Sequence, residues 1–430
     1  MLAVPYDLIV NGIGVPPATL ETGERASAPR KAMDRALWDV PVASPATRPH
    51  IGVVLYCEGP PPSREQVGAH VAERLSSLPA LRSVSAGPRW RIQTGLDLET
   101  HVVEQKLEPG PASLDAAVSE LVELPLPEQA PAWQLHLLHG HTDGGFALFY
   151  RVHHSLQDGG GMLHTVETLF ADDADALSSS VYPGFAEPAR TSWRDFGAGA
   201  GALLGGARRA GSWASYSEGF SSERTSRWCA VPVDRLRSVA RRHGASVNDV
   251  YLAAFAHALT QTAQRLPEAP SRVPFLVPAN LRRPGEEAAP GNRVVLTSIV
   301  LPGGARSAAA RFASAPPATG VLKSPGARNA MRRLTELTPA PVMTGMLKAV
   351  SKPAHSATLA SNLLLRRRLG FKGAHVTGVT PVMWAPLGVP VGAMMLTYQD
   401  TATVCFTTDP AMPGLDRLPE LWRETVESLD

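Results

Sequence analysis

The sequence predicts a mixed α/β protein built from two large halves. At 430 residues the chain exceeds what one ordinary core organises. Its 37 glycines and 39 prolines punctuate it too often for a helical bundle, while 44% hydrophobic residues suffice to fill a sizeable core and exclude general disorder. Stretches of helical and of strand periodicity also alternate along it.

Before about Lys31 the sequence is Pro/Gly/Thr-rich and weakly patterned, so residues 1–30 read as an N-terminal extension. A first half, residues 31–171, opens with a short amphipathic helix, Met33 to Val40, and a buried strand, Ile51 to Cys57. Ser63 to Leu81 carries Val67, Val71, Leu75 and Leu78 at helical spacing, and Leu114 to Leu124 repeats the pattern. Trp133, Leu135 and Leu137 alternate with polar residues, and Phe146 to His154 is β-rich, so Asp143-Gly144-Gly145 predicts a hairpin. Residues 172–227 are rich in Ala, Gly and Ser, with Gly197 to Gly206 nearly low-complexity, which predicts a mobile or loosely helical crossover. In the second half, residues 228–430, Ser246-x-x-Asp249 is a capping box before a helix that carries Val250, Ala254, Phe255 and Ala258 on one face. A strand from Val294 to Leu301, helices near 305–350, strands across 373–409 and a closing helix, Leu418 to Leu429, complete the prediction.

Composition excludes several functions. Lys+Arg 41 against Asp+Glu 39 leaves +2, with no sign excess to hold a polyanion, so nucleic acid is not an expected partner. Three cysteines, Cys57, Cys229 and Cys405, form no CxxC pair, which argues against a structural zinc site and for buried free thiols in a reducing, cytoplasmic compartment. Met1 to Arg30 has no basic n-region and carries Asp7, so it does not read as a secretory signal. Val376 to Gln399 lacks charge, but Pro381, Pro386 and Pro390 would break a spanning helix, so buried strands and turns are expected there.

One run stands apart. Arg151-Val-His-His-Ser-Leu-Gln-Asp-Gly-Gly-Gly161 ends a strand on His153 and His154, closes a turn at Asp158-Gly159 and starts a helix carrying Met162, Leu163, Val166, Leu169 and Phe170. Alternation puts His154 on the face of Phe146, Leu148, Tyr150 and Val152, and His153 on that of Ala147, Phe149 and Arg151. Imidazole titrates near neutrality, which suits a base that takes a proton from a hydroxyl or amine. A His-His pair alone would equally fit hydrogen-bonded core residues or part of a metal site. The fuller His-His-x3-Asp-Gly pattern is rarer, and no nucleophile elbow, phosphate loop or H-E-x-x-H motif competes with it.

That pattern resembles the signature of the CoA-dependent acyltransferases and peptide-synthetase condensation domains. Within that superfamily the chain is similar to the bacterial wax ester synthase/diacylglycerol acyltransferase family. The likeness rests on Leu96 to Val102, Pro131-Ala-Trp133, Ser246-Val-Asn-Asp-Val250, Val277 to Arg282, Gly291-Asn-Arg-Val294 and Ser361-Asn362, in the family's order. It implies two chloramphenicol-acetyltransferase-like halves, with mixed sheets and helices around a central active-site tunnel. It implies His154 as general base and Asn248 as a group that polarises the thioester carbonyl, the alternative for Asn248 being a helix-start hydrogen bond. His153, Asp158 and Gly159 would support the site, Asp158 through an arginine, for which Arg282 and Arg293 are both candidates. Gly160, Trp133, Ser361 and Asn362 would adjoin substrate, Trp133 by packing beside the site. No metal or other cofactor is implied, because a thioester is already activated.

Two departures bear on the substrate. After Ser361-Asn362 the family has a Pro-Gly-Pro turn, whereas this chain runs Leu363 to Leu369, and Pro131-Ala132-Trp133 lacks the middle leucine. The Arg366–Arg368 cluster reads as a solvated loop, or as a contact for CoA phosphates, a carrier's phosphopantetheine or anionic lipid. The first expectation is acyl transfer from acyl-CoA to a long-chain alcohol or diacylglycerol, with peripheral contact to a membrane or lipid surface. A second keeps the mechanism and moves it to a specialised metabolite, with a carrier-protein thioester as donor. A third is a non-catalytic lipid- or carrier-binding protein.

Overall fold

The computed structural model describes residues 28–40, 42–172, 191–205, 220–263, 272–304, 307–350, 358–412 and 414–429. Most of the N-terminal extension and much of the crossover expected at 172–227 lie outside the described residues. The first part of the chain contributes β1 (Ala28–Pro29), α1 (Ala32–Trp38), β2 (His50–Glu58), α2 (Arg64–Arg74), β3 (Ser83–Ala86), β4 (Arg89–Ile92), α3 (Leu98–His101), β5 (Val102–Lys106), α4 (Pro111–Glu123), β6 (Trp133–His139), β7 (Gly145–His153) and α5 (Gly159–Phe170). Then follow α6 (Trp193–Gly205), β8 (Thr225–Pro232), α7 (Val233–Arg242), α8 (Val247–Ala263), β9 (Arg272–Asn280), β10 (Val294–Pro302), α9 (Ala308–Lys323), α10 (Pro325–Leu337) and α11 (Ala340–Val350). The chain closes with β11 (Thr358–Leu365), β12 (Gly370–Phe371), β13 (Ala374–Val382), β14 (Val391–Tyr398), β15 (Thr401–Thr408) and α12 (Leu418–Glu427).

Each half is organised on a six-stranded mixed sheet. The first runs β12-β13-β2-β7-β6-β5, antiparallel except where β5 lies parallel to β6. The second runs β10-β9-β11-β14-β15-β8, with β11 parallel to both β9 and β14. Alternation along β7 explains why the first sheet is buried on both faces. Phe146, Leu148, Tyr150 and Val152 join the main core, while Ala147 and Phe149 meet α4 through Leu114, Ala117, Val118 and Leu121.

The sheets do not follow the sequence halves. β12 and β13 come late in the chain yet pair with β2 of the first sheet, from Val382 opposite Gly52 to Val376 opposite Cys57, before β14 returns to the second. This exchange covers the free edge of β2 and ties the halves together through residues 383–390.

Most predicted elements form for the reasons the sequence offers. Ser63 caps α2 through the Gln66 N–H, and Ser246 and Asp249 exchange hydrogen bonds at the start of α8. The helix expected over 63–81 ends at Arg74, because Pro79 disfavours helical backbone at Leu78 and the chain tightens into 3-10 turns. The expected helical stretch at 305–350 divides into α9, α10 and α11, the first break being set by Ser324, which caps α10 ahead of Pro325. Part of the crossover is the regular helix α6, packed on α10 and β10. Strand β8 begins at Thr225, three residues before the expected start of the second half. Among the described residues no helix is long and apolar enough to cross a membrane.

Candidate active site

The strand–turn–helix around His153 and His154 forms as the sequence predicts, with β7 delivering the histidines and Asp158 capping α5. Both rings are half-buried, but their surroundings differ. His153 Nδ1 accepts from the Ser155 N–H (3.1 Å) and faces the Ser155 hydroxyl (2.7 Å), and its ring packs against Trp38 and His50. Burial, aided by His50, His154 and Arg30, pushes its pKa down to about 3, so His153 stays neutral and serves the turn.

His154 turns to the seam between the halves. Its main-chain N–H donates to Pro49 O (2.7 Å), and its Nδ1 lies 3.1 Å from Asn292 Oδ1. The edge of Trp384, from the segment linking β13 to β14, meets the ring at 6.0 Å between centroids. Burial lowers the His154 pKa, opposed by its own carbonyl, by Asp158, by Asn292 and by Asp34. The imidazole is therefore neutral and basic at neutral pH. Among the described residues no hydrogen bond is made to Nε2.

Asp158 settles which arginine it pairs with. Its Oδ1 accepts from Arg282 Nη2 (2.9 Å), Arg282 Nε (3.2 Å) and the Gly161 N–H (2.8 Å), and its Oδ2 accepts from the Arg293 main-chain N–H (2.7 Å). Arg282 thus supplies the ion pair and Arg293 only its backbone. Burial alone would raise the Asp158 pKa, but Arg282 and these donors hold it below the ordinary aspartate value. Arg282 also knits the 286–291 turn, donating to the carbonyls of Glu286 and Gly291.

Small residues in the motif make room for this pairing. A side chain at Gly161 would lie 2.8 Å from Arg282 Nη2, at Gly160 3.3 Å from Asp158 Oδ1, and at Gly159 3.0 Å from Leu363. Gly160 therefore lies against the Asp158–Arg282 pair. Gly291, at φ +84°, has the Asp34 carboxylate where a Cβ would sit, so glycine is required twice over.

The other sequence candidates fall elsewhere. Asn248 Oδ1 accepts from Asn362 Nδ2 at 3.3 Å, joining α8 to β11, while the neighbouring Asp249 makes the capping box and holds Thr319 and Lys323 of α9. No hydrogen bond among the described residues joins the Asn248–Asn362 pair to His154. Ser361 and Asn362 sit inside β11, opposite Met394 and Met395, because the residues that follow extend the strand to Leu365 where a Pro-Gly-Pro turn would end it. Trp133 is fully buried, stacked on His101 with its Nε1 donating to Leu81 O, so it is a core residue. Arg366 to Arg368 form the turn after β11, pinned where the Arg366 N–H donates to Glu167 and the Asp172 N–H to Arg368 O.

Residues that sequence reasoning gave no role complete the site. Asn292 and Asp34 stand behind His154, and Trp384 stands beside it. Asn292 lay within a recognised motif, and Asp34 was signalled only as an acid among the buried Met33, Ala36 and Leu37 of α1. Close to the turn, Leu363 contacts Gly159 and belongs to an apolar cluster with Leu359, Met383, Met394, Cys405 and Trp228. A cleft opens along the seam, lined by Lys31, Met33, Leu281, Asn292, Arg293 and Arg332 among others. Among the described residues no group of three or more His, Cys, Asp or Glu could hold a metal ion. All three cysteines are free, and burial pushes the Cys57 and Cys229 thiols up to about 12 and Cys405 to about 11.

Residues 32–216 match the model of the wax ester synthase/diacylglycerol acyltransferase catalytic domain. A Mycobacterium tuberculosis protein provisionally named a diacylglycerol O-acyltransferase is 26% identical over 432 residues, covering 90% of this chain and 96% of its own length. Another from that organism, similarly named, is 30% identical over 217 residues, so this chain spans only 48% of that relative. The wax ester synthase/diacylglycerol acyltransferase of Marinobacter aquaeolei superposes with a TM-score of 0.63 at 21% identity over 94% of this chain and 98% of that one. The first condensation domain of the CDA synthetase superposes with a TM-score of 0.67 at 14% identity over 94% and 97%. The shared fold is that of two acyltransferase-like halves, and residues 32–216 of the chain are similar to the wax ester synthase/diacylglycerol acyltransferase catalytic domain.

Proposed function

We propose that the protein transfers a fatty acyl group from acyl-CoA to the hydroxyl of a long-chain alcohol or diacylglycerol, with His154 as general base. One observation carries the reading: a neutral imidazole at the seam of two halves, fixed through Nδ1 and with no hydrogen bond to Nε2 among the described residues. In the reaction Nε2 takes the proton from the acceptor hydroxyl as its oxygen bonds to the thioester carbonyl carbon. The tetrahedral intermediate then collapses, the carbon–sulfur bond breaks, and the imidazolium returns its proton to the departing thiolate. A thioester needs neither a metal nor a covalent enzyme intermediate for this, and proximity supplies much of the remainder.

Three further features support it. The apolar cluster of Leu359, Leu363, Met383 and Met394 suits an acyl chain beside the His154 turn. Asn248, whose Oδ1 accepts from Asn362, remains a candidate to polarise the carbonyl through its amide N–H, although no hydrogen bond among the described residues joins it to His154. The match of residues 32–216 to the catalytic-domain model points to the same substrate class. Donor binding from a carrier protein, with a specialised acceptor, is the second reading. It is favoured by the strand that replaces the usual turn after Asn362 and by the likeness to a condensation domain solved with C8-CoA and Leu-SNAC, at a TM-score of 0.63 over 93% of each chain.

The base assignment predicts a pH profile. Because the His154 pKa is lowered, chiefly by burial, the neutral form persists below the ordinary histidine value of about 6.5. The kcat/KM for an acyl-CoA with hexadecanol or diacylglycerol is expected to hold level from neutral pH downward and to fall on an acid limb below about 6.5. An acid limb centred well above 7 would count against His154 as the base.

A further inference from the structure

Asn292 sits where it can decide which nitrogen of His154 carries the proton. Its side-chain Nδ2 faces three acceptors: His154 O at 2.7 Å, Ser155 O at 3.2 Å and Asp34 Oδ1 at 3.2 Å. An amide surrounded by oxygens on one side can present only its NH2 there, so its orientation follows from the network, and Oδ1 must face the imidazole. Oδ1 lies 3.1 Å from His154 Nδ1 and can only accept. Nδ1 therefore donates, and the lone pair is left on Nε2.

Asp34 fixes Asn292 in turn. This carboxylate, 1% exposed, receives four N–H donors: the Asn292 main-chain N–H (2.6 Å) and Nδ2 on Oδ1, and the Lys31 N–H (2.8 Å) and Trp90 Nε1 (3.3 Å) on Oδ2. Donors on every side suit the ionised form. Gly291 alone permits the approach, as its missing side chain leaves space for the Asp34 carboxylate, while its N–H donates to Leu156 O at 2.6 Å. The chain Asp34–Asn292–His154 thus spans α1, the loop before β10 and the end of β7, and it closes only when the two halves are joined.

We infer that Asn292, held against rotation by Asp34, is a positioning residue that locks His154 in the Nδ1–H tautomer, so that Nε2 is the bare nitrogen at the acyl-transfer site. The inference rests on the reading of His154 as base. Neither Asn292 nor Asp34 touches the reacting atoms, so their loss lowers turnover through His154 and leaves substrate affinity as it was.

The test is ¹⁵N NMR of the full chain labelled with ¹⁵N-histidine, with the His154 signals assigned as those lost in His154→Gln. Wild type is expected to show protonated Nδ1 and unprotonated Nε2. Asn292→Ala leaves the residue's own carbonyl as the remaining acceptor, so it is expected to give a mixed tautomer with part of the proton on Nε2 and to lower kcat about 10-fold with KM unchanged. Asp34→Asn keeps the side-chain volume and serves if Asn292→Ala does not fold. It sets an amide donor among donors, and the account predicts a mixed tautomer and a fall of about 10-fold in kcat. A wild type protonated on Nε2, or variants that keep the proton on Nδ1, would overturn the inference. Full turnover in His154→Ala would instead overturn the base assignment, while the tautomer result would stand.

Discussion

Replacing His154 by alanine is expected to lower kcat/KM for acyl transfer by about 100- to 10,000-fold, the range that a positioned general base contributes. The protein should remain folded. His154 contributes to the turn mainly through backbone groups, its N–H to Pro49 O and its carbonyl to Asn292, and both survive truncation at Cβ. The far-ultraviolet circular dichroism spectrum and the unfolding midpoint should therefore match wild type while steady-state CoA release collapses. His153→Ala should behave in the opposite manner, losing stability first, because its ring fills a site against Trp38 and His50 and accepts from Ser155. Equal losses of turnover in both, with both folded, would contradict the division of roles.

Arg282→Met is expected to destabilise the protein by about 3–5 kcal/mol, since it leaves Asp158 buried with no cation. Both side chains are 1% exposed, so solvent cannot replace the lost partner. The variant also frees the carbonyls that Arg282 gathers from Glu286 and Gly291, loosening the loop that carries Asn292. The pH dependence has a definite sign. In wild type the Asp158 pKa is depressed, so its stabilisation is complete above the unfolded value of about 3.9 and is lost as pH falls through the folded value. In Arg282→Met the buried anion is the liability, and protonation relieves it. The gap between the two urea-unfolding midpoints should be widest at neutral pH and narrow below about pH 4. Removing both partners, in Asp158→Leu with Arg282→Met, should cost less than removing Arg282 alone.

Local features were legible in the sequence because local physics dictates them. The alternation from Phe146 to His153 writes a strand, Asp158-Gly159 writes a turn, and Ser246 with Asp249 writes a capping box, and each forms as read. Contacts between distant segments were not legible. Nothing in the neighbourhood of Ala374–Val382 says that it will pair with β2, more than 300 residues earlier, because a buried strand carries no label for its partner. The choice between Arg282 and Arg293 likewise depended on direction. Both reach Asp158, one with its guanidinium and the other with its backbone N–H, and sequence does not separate the two modes. Asp34 and Asn292 lie 258 residues apart, and only the assembled seam brings them behind His154.

The departure at Ser361–Leu369 also becomes physical in the fold. Leu359 and Leu363 lie on a strand parallel to β14, turning apolar side chains toward Met383 and Met394 and placing Leu363 on Gly159. A segment that would otherwise turn thus becomes part of the apolar surroundings of the His154 loop.

The most direct test of the central claim is the release of free CoA from acyl-CoAs of graded chain length, each with hexadecanol, with diacylglycerol and with no acceptor. The account predicts release that requires an acceptor, favours long acyl chains and disappears in His154→Ala. Release that proceeds equally without acceptor, or that persists in His154→Ala, would contradict it.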